Sequence, residues 1–180
     1  MLSDKLVSYA FIFVFLFERI LELFVNYFNK AFMVNKHFAR VKYPKEAAQM
    51  RIFHTLWFVA LIVETYFRGD RLTGIWFYLC VLVLLLAQTL RWYAIYSLGA
   101  YWSVDIYQLK EHPRIVSGPY AYMRHPNYLA VITEFIFLPL LLGCPITLVF
   151  GTIANLFILK RRILLEEQAL LEQSVKTLSS

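Results

Sequence analysis

Two stretches carry most of the side chains able to do chemistry. The first, residues 99 to 127, holds Trp102, Asp105, Tyr107, His112, Arg114, Tyr120, Tyr122, Arg124 and His125 among the turn formers Gly99, Pro113, Gly118, Pro119 and Pro126. Connections this long inside a compact unit are functional or disordered, and the aromatic content argues against disorder. It reads as one wall of a site. The second stretch follows Lys160, Arg161 and Arg162: on a helix Arg162 and Glu166 stand four apart and share a face, while Glu167 turns about 100° away. It reads as the opposite wall. The 4 histidines are scattered without metal-ligand spacing, so the chemistry expected is that of guanidinium, carboxylate, imidazole and phenol groups without a metal.

The elements that must position these walls are read from composition. Of 180 residues, 60% are hydrophobic and only 17% charged, against about a quarter charged in soluble domains. The sequence predicts an all-α integral membrane protein: one domain over residues 1–180, with three N-terminal spans in 1–98 and a loop, helical hairpin and tail helix in 99–180. Five insertions are expected near residues 5–28, 51–67, 74–98, 128–142 and 146–160. The last two are short, so Pro139, Gly143 and Pro145 mark a shallow hairpin tip. Lys30, Lys36, Arg40, Lys42, Lys45 and Arg51 place the first connection in the cytoplasm by the positive-inside rule. Alternation then puts the 99–127 loop and the C-terminus there too, in what is expected to be a bacterial plasma membrane. The net charge of +6 is read as membrane orientation and not as a nucleic-acid surface. The N-terminal apolar run has no small-residue cleavage site and is read as a retained span.

The run Ser117-Gly118-Pro119-Tyr120-Ala121-Tyr122-Met123-Arg124-His125-Pro126-Asn127-Tyr128, then an apolar hairpin, then Arg162-Ile163-Leu164-Leu165-Glu166-Glu167 resembles the C-terminal half of the isoprenylcysteine carboxyl methyltransferases and related phospholipid methyltransferases. Arg91-Trp92-Tyr93, Leu98-Gly99 and Tyr101-Trp102 look more like the small bacterial branch, some members of which methylate alkylpyrones. The resemblance implies S-adenosylmethionine as cofactor and a lipophilic or prenyl-type acceptor entering sideways from membrane lipid. It implies cofactor contacts at His112, Arg114, Ile115, Tyr120, His125, Pro126, Asn127, Tyr128 and Glu166, and Gly118 and Glu167 are expected to join them. Arg162, with Arg124, is expected to hold the acceptor's anion in a catalytic role, and Glu134 to offer a further polar contact to the substrate. Before the glycine turn the chain reads His112-Pro113-Arg114-Ile115, a departure from the prenylcysteine enzymes.

The chemistry of the cofactor fits these residue types. A sulfonium and an ammonium call for Glu166 and Glu167, and a carboxylate for His125 or the amides after Pro126. Adenine calls for Tyr120 or Tyr128. Methylation of a carboxylate or acidic hydroxyl is the leading expectation, since an anionic nucleophile needs orientation and no general base. N-methylation of an aminophospholipid would need a base. An NADPH-dependent membrane reductase, suggested by the similar C-terminal architecture of sterol reductases, would set phosphates against the paired glutamates. A non-catalytic scaffold leaves the polar loop without a purpose. Arg161 is read as an interfacial anchor and Trp102 as part of an aromatic belt. Charges at Glu18, Arg19, Glu22, Glu64, Arg91 and Glu134 each cost about 2.5–3.5 kcal/mol at bilayer depth, so partners are expected, with Arg91 or His54 serving the first helix.

Overall fold

The computed structural model describes residues 2–37, 40–68, 70–108 and 115–178, and within them the protein is built from five α-helices. These are α1 (Leu2–His37), α2 (Pro44–Phe67), α3 (Gly74–Leu98), α4 (Pro126–Leu141) and α5 (Thr152–Leu178). Helices α2 and α3 are long and apolar enough to cross a membrane. α1 is longer still at 36 residues, but Glu18, Arg19 and Glu22 interrupt its apolar run. α4 has 16 residues. Large apolar side chains such as Phe13, Phe24, Leu56, Leu85 and Phe157 face outward, as expected where lipid is the solvent.

The helices run further than the sequence predicts. α2 begins at Pro44, whose ring suits the first helical position, with Glu46 in the first turn. The hairpin's second arm does not hand over to a separate tail helix. A π-helical turn, Thr147–Gly151, leads directly into α5, so one rigid rod carries Arg162 and Glu166. Pro139 lies inside α4, and the tip itself is at Leu142 to Cys144. There Gly143 adopts φ +68°, and a Cβ would stand 2.0 Å from the Asp70 carbonyl oxygen. Only glycine lets the hairpin turn sit on the α2–α3 connection, where Leu72 N–H donates to the Leu141 carbonyl at 2.9 Å.

Glu64 belongs to the same end. Its carboxylate accepts from the Ile146 and Thr147 amides and the Thr147 hydroxyl at 3.0, 2.8 and 2.7 Å. An intramembrane charge is thereby turned into the cap of the hairpin's second arm. Between the helices, Trp57, Leu61, Leu84, Phe135, Leu138 and Leu159 form the core, with Trp57 stacked on Phe135 at 4.1 Å between ring centres. At the opposite end, strands β1 (Arg40–Val41) and β2 (Tyr107–Gln108) pair antiparallel. This small ribbon, absent from the all-helical expectation, ties the α1–α2 connection to the loop after α3.

Candidate active site

The end of the molecule away from the hairpin tip gathers the C-terminus of α3, the N-termini of α2 and α4, and the middle of α5. A 3-10 turn, Gly118–Ala121, precedes α4. Gly118 has φ +58°, and a Cβ there would meet the Ser97 hydroxyl at 2.2 Å. The glycine lets the turn lie flat on α3, which brings Tyr120 and His125 over the start of α4. His125 (φ −130°, ψ 61°) is the residue ahead of the helix and Pro126 its first residue. On α1, Asn26 accepts from the Ser103 hydroxyl and the Val104 amide, both at 2.8 Å. Asn29 donates to the Gly99 and Trp102 carbonyls at 3.0 and 2.8 Å. Arg51 holds Asp105 at 3.0 Å. These bonds fix a loop that has little regular structure of its own.

The chemical centre is a clamp across α4 and α5. Arg162 Nε donates to the Tyr128 hydroxyl oxygen at 2.7 Å and to Glu166 Oε1 at 2.9 Å. The Tyr128 hydroxyl donates in turn to the same glutamate oxygen. Arg162 Nη1 rests on Met50 Sδ of α2 at 3.0 Å. His125 stacks on Tyr128 with rings 5.1 Å apart and 7° from parallel, and its Nδ1 stands 3.8 Å from Glu166 Oε2. That separation exceeds a hydrogen bond, so Oε1 is engaged within the protein while Oε2 remains available to a cationic ligand group. Burial, reinforced by the Glu166 charge, pushes the Tyr120 phenol up to about 12. It is a neutral hydrogen-bond donor at ordinary pH.

A cavity of about 1170 Å³ opens from this clamp, above the about 300–1,000 Å³ typical of one small ligand. Of the residues singled out in the sequence, Ile115, Tyr120, Arg124, His125, Asn127, Tyr128, Arg162, Glu166 and Glu167 line it. Arg124 and Glu167 form its outer rim, 3.8 Å apart with side chains 87% and 45% exposed. Gly118, Pro126 and Glu134 do not line it. Gly118 packs the turn against α3, Pro126 starts α4, and Glu134 is fully buried between Arg19 and Arg91. His112 and Arg114 lie outside the described residues. Trp102, read as an interfacial belt residue, is instead 3% exposed and forms part of the cavity wall. Met50, His54, Phe58 and Ile62 also line it, a stripe of every fourth residue on α2. Apolar residues on all sides of α2 hid this face from sequence reasoning, although Asn26 and Asn29, one turn apart on an apolar helix, marked the matching face of α1.

Farther along the cavity a second polar group appears. Arg19 bonds Glu22 at 2.7 Å and also Glu134, while Arg91 bonds Glu22 at 3.1 Å and Glu134 at 2.5 Å. The partner expected for α1 is therefore Arg91. Among the described residues, His54 Nε2 has no hydrogen-bond partner.

A model of the isoprenylcysteine carboxyl methyltransferase (ICMT) family matches residues 79–172, which takes in most of α3, the loop, the hairpin and the clamp. The chain is 37% identical over 123 residues to the uncharacterized protein YpbQ of Bacillus subtilis (strain 168), covering 68% of this chain and 73% of that protein. It is 40% identical over 89 residues to an uncharacterized protein of Haemophilus influenzae, covering 49% of this chain and 52% of that protein.

Proposed function

Because the chain belongs to the isoprenylcysteine carboxyl methyltransferase family, we propose that this membrane methyltransferase transfers the methyl group of S-adenosylmethionine to an ionised oxygen of a lipophilic acceptor. The observation that carries the reading is the Tyr128–Arg162–Glu166 clamp facing a cavity that continues along helices α1 and α2.

The residues present fit the cofactor. Glu166 Oε2 offers an anion to its positive groups, and the stacked His125–Tyr128 pair and the Tyr120 ring offer flat surfaces. Asn127 Oδ1, buried on a residue of the cavity wall and without a partner among the described residues, supplies an acceptor. When bound, S-adenosylmethionine would supply an electrophilic methyl on a sulfonium, with a neutral thioether as the leaving group. With an anionic acceptor no proton has to move. The protein's part is to exclude water and align the oxygen. Arg162 is suited to orientation because Tyr128, Glu166 and Met50 fix its guanidinium.

The acceptor's apolar chain enters between α1 and α2, where Leu16, Ile20, Leu23, Val59 and Ile62 both line the cavity and remain exposed on the outer surface. The chain is multi-pass, with the clamp and C-terminus in the cytoplasm, where the basic first connection also lies. Thermal-shift and calorimetric titration in detergent with S-adenosylmethionine, and separately with NADPH, test the reading. Saturable binding of S-adenosylmethionine alone is expected. Stabilisation by NADPH alone would replace the transferase with a reductase.

A further inference from the structure

Arg19, Glu22, Arg91 and Glu134 form a ring of ion pairs, and Glu18, beside Arg19 on α1, stands within electrostatic reach of Arg19 and Glu134. Three carboxylates therefore face two guanidiniums, and one negative charge is left over. Among the described residues, Glu18 Oε2 and Glu134 Oε1 are buried without a hydrogen-bond partner. These oxygens suit a proton, because an added O–H removes the excess charge and breaks none of the ion pairs.

Arg19 and Glu22 line the cavity, whereas Glu18, Arg91 and Glu134 do not. His54 lines it as well, one helical turn from Met50, whose sulfur touches Arg162 Nη1 at 3.0 Å. One turn is a rise of about 6 Å. The His54 ring packs on Phe135 with centres 5.3 Å apart, and its charged neighbours are Arg19 on α1, Glu134 on α4 and Arg162 on α5. The imidazole thus stands between the clamp and the group that has room for a proton. An imidazole can receive a proton at one nitrogen and release it from the other.

The excess charge is tolerated while solvent fills the cavity. An apolar acceptor displaces that solvent, and an uncompensated charge on the wall then becomes costly. Filling the site raises the demand for a proton just when the acceptor has one to lose, since a lipophilic acid crosses lipid in its neutral form.

We infer that His54 is a catalytic residue that carries the acceptor's acidic proton from the clamp to the carboxylates of Glu18, Glu22 and Glu134, which hold it in common. The acceptor's O–H bond breaks with its electron pair left on oxygen, an O–H bond forms on a carboxylate, and the oxygen, now an anion beside Arg162, is ready for alkylation. When the neutral product leaves and solvent returns, the carboxyl proton passes out through the cavity. This rests on the methyltransferase reading and adds the fate of a proton. It also places machinery on α1 and α2, outside the stretch matched by the family model.

The test uses the full chain in nanodiscs, without cofactor, and a dodecyl-tailed nitrophenol whose anion is read by its absorbance. Bound to the wild type, the probe should ionise about one pH unit or more below its value in empty nanodiscs, a tenfold change in the equilibrium. Calorimetry in two buffers of different ionisation heat should count no proton released, since the protein takes it up. His54→Phe keeps a ring against Phe135 but no nitrogen, so the probe should bind and stay neutral. Glu18→Gln leaves the four ion pairs in place and balances the charges, so any ionisation should now release a full proton to the buffer. A probe that stays neutral on the wild type, or ionises there with release of a proton, overturns the inference even if the variants fail to fold. Undiminished ionisation in His54→Phe, or unchanged proton uptake in Glu18→Gln, overturns it as well. S-adenosylmethionine binding, measured separately, distinguishes failure here from failure of the methyltransferase reading.

Discussion

Replacing Glu166 by glutamine separates what the carboxylate does for a ligand from what it does for the fold. In the wild type, Oε1 accepts from the Tyr128 hydroxyl and from Arg162 Nε at 2.9 Å, and Oε2 faces His125 and the cavity. A glutamine keeps a carbonyl oxygen for both donors and turns an N–H₂ toward the ligand in place of an anion. The buried Arg162 thus keeps Tyr128, the amide oxygen and Met50 as neighbours, and thermal stability in detergent should change little. The ligand's cationic group loses a charge-assisted contact of about 1.5–3 kcal/mol, which is about 10 to 150-fold in affinity. Glu166→Ala makes the contrast, because it also removes the acceptor for Arg162. Breaking a fully buried pair costs about 3–5 kcal/mol. With 24% of the Glu166 side chain exposed, a loss of about 1–3 kcal/mol is expected. Calorimetric titration with S-adenosylmethionine, run beside thermal unfolding of the three proteins, reads both effects. Wild-type affinity in Glu166→Gln would refute the placement of the cofactor's positive groups at Oε2.

Arg162→Lys keeps a charge but not the fork that reaches Tyr128, Glu166 and Met50, so methyl transfer to an extracted lipid acceptor should slow by about 10² to 10³-fold. Arg161→Lys should be nearly silent, since Arg161 is 62% exposed and pairs only with Glu46 in the described contacts; equal rates in the two variants would contradict this. Cysteine-accessibility labelling in a background without Cys80 and Cys144 should find positions 42 and 117 on the cytoplasmic side and position 70 outside, and labelling of 117 from outside would invert the topology. Gly143→Ala should destabilise the protein by about 3 kcal/mol or more, because a left-handed conformation is combined with a Cβ pressed on the Asp70 carbonyl; an unchanged unfolding temperature would show that the hairpin turn does not sit there. The Tyr120 phenol titrates near 12 when folded and near 10 when unfolded, so its neutral form stabilises the fold below pH 10 and that contribution is lost as pH rises from 10 toward 12. Tyr120→Phe should flatten this alkaline loss in a thermal-stability profile, and an identical profile would place the phenol in water.

Much of the clamp was legible because its signals are local. Arg162 and Glu166 share a helix face by their spacing alone, Pro126 marks a helix start, and Gly118 ahead of Pro119 marks a turn. What escaped is which helix faces meet. α2 carries apolar residues all round, so its periodicity does not single out the stripe that lines the cavity. Trp102 looked interfacial because tryptophan is common at membrane boundaries, whereas α1 folds over it through Asn26 and Asn29. Glu64 read as a costly intramembrane charge until the backbone amides of Ile146 and Thr147, far along the chain, were seen to receive it. The extra turns of α2 and the unbroken α5 are tertiary extensions of helices whose cores the sequence did place.

The ion network also constrains how the chain can be made. Arg19 and Glu22 satisfy each other only in part, and their remaining partners are Arg91 and Glu134. Glu134 lies 115 positions beyond Arg19. While the ribosome is still adding those residues, the first helix carries charges that each cost about 2.5–3.5 kcal/mol at the bilayer centre. On the proposed multi-pass arrangement, stable residence of that helix in lipid waits for the fourth, and the hairpin serves as the lock that retains its predecessor. A nascent chain halted before Glu134 should leave α1 extractable from the translocon or held at its lateral gate, and release into the bilayer becomes a property of the completed bundle, not of the first hydrophobic segment.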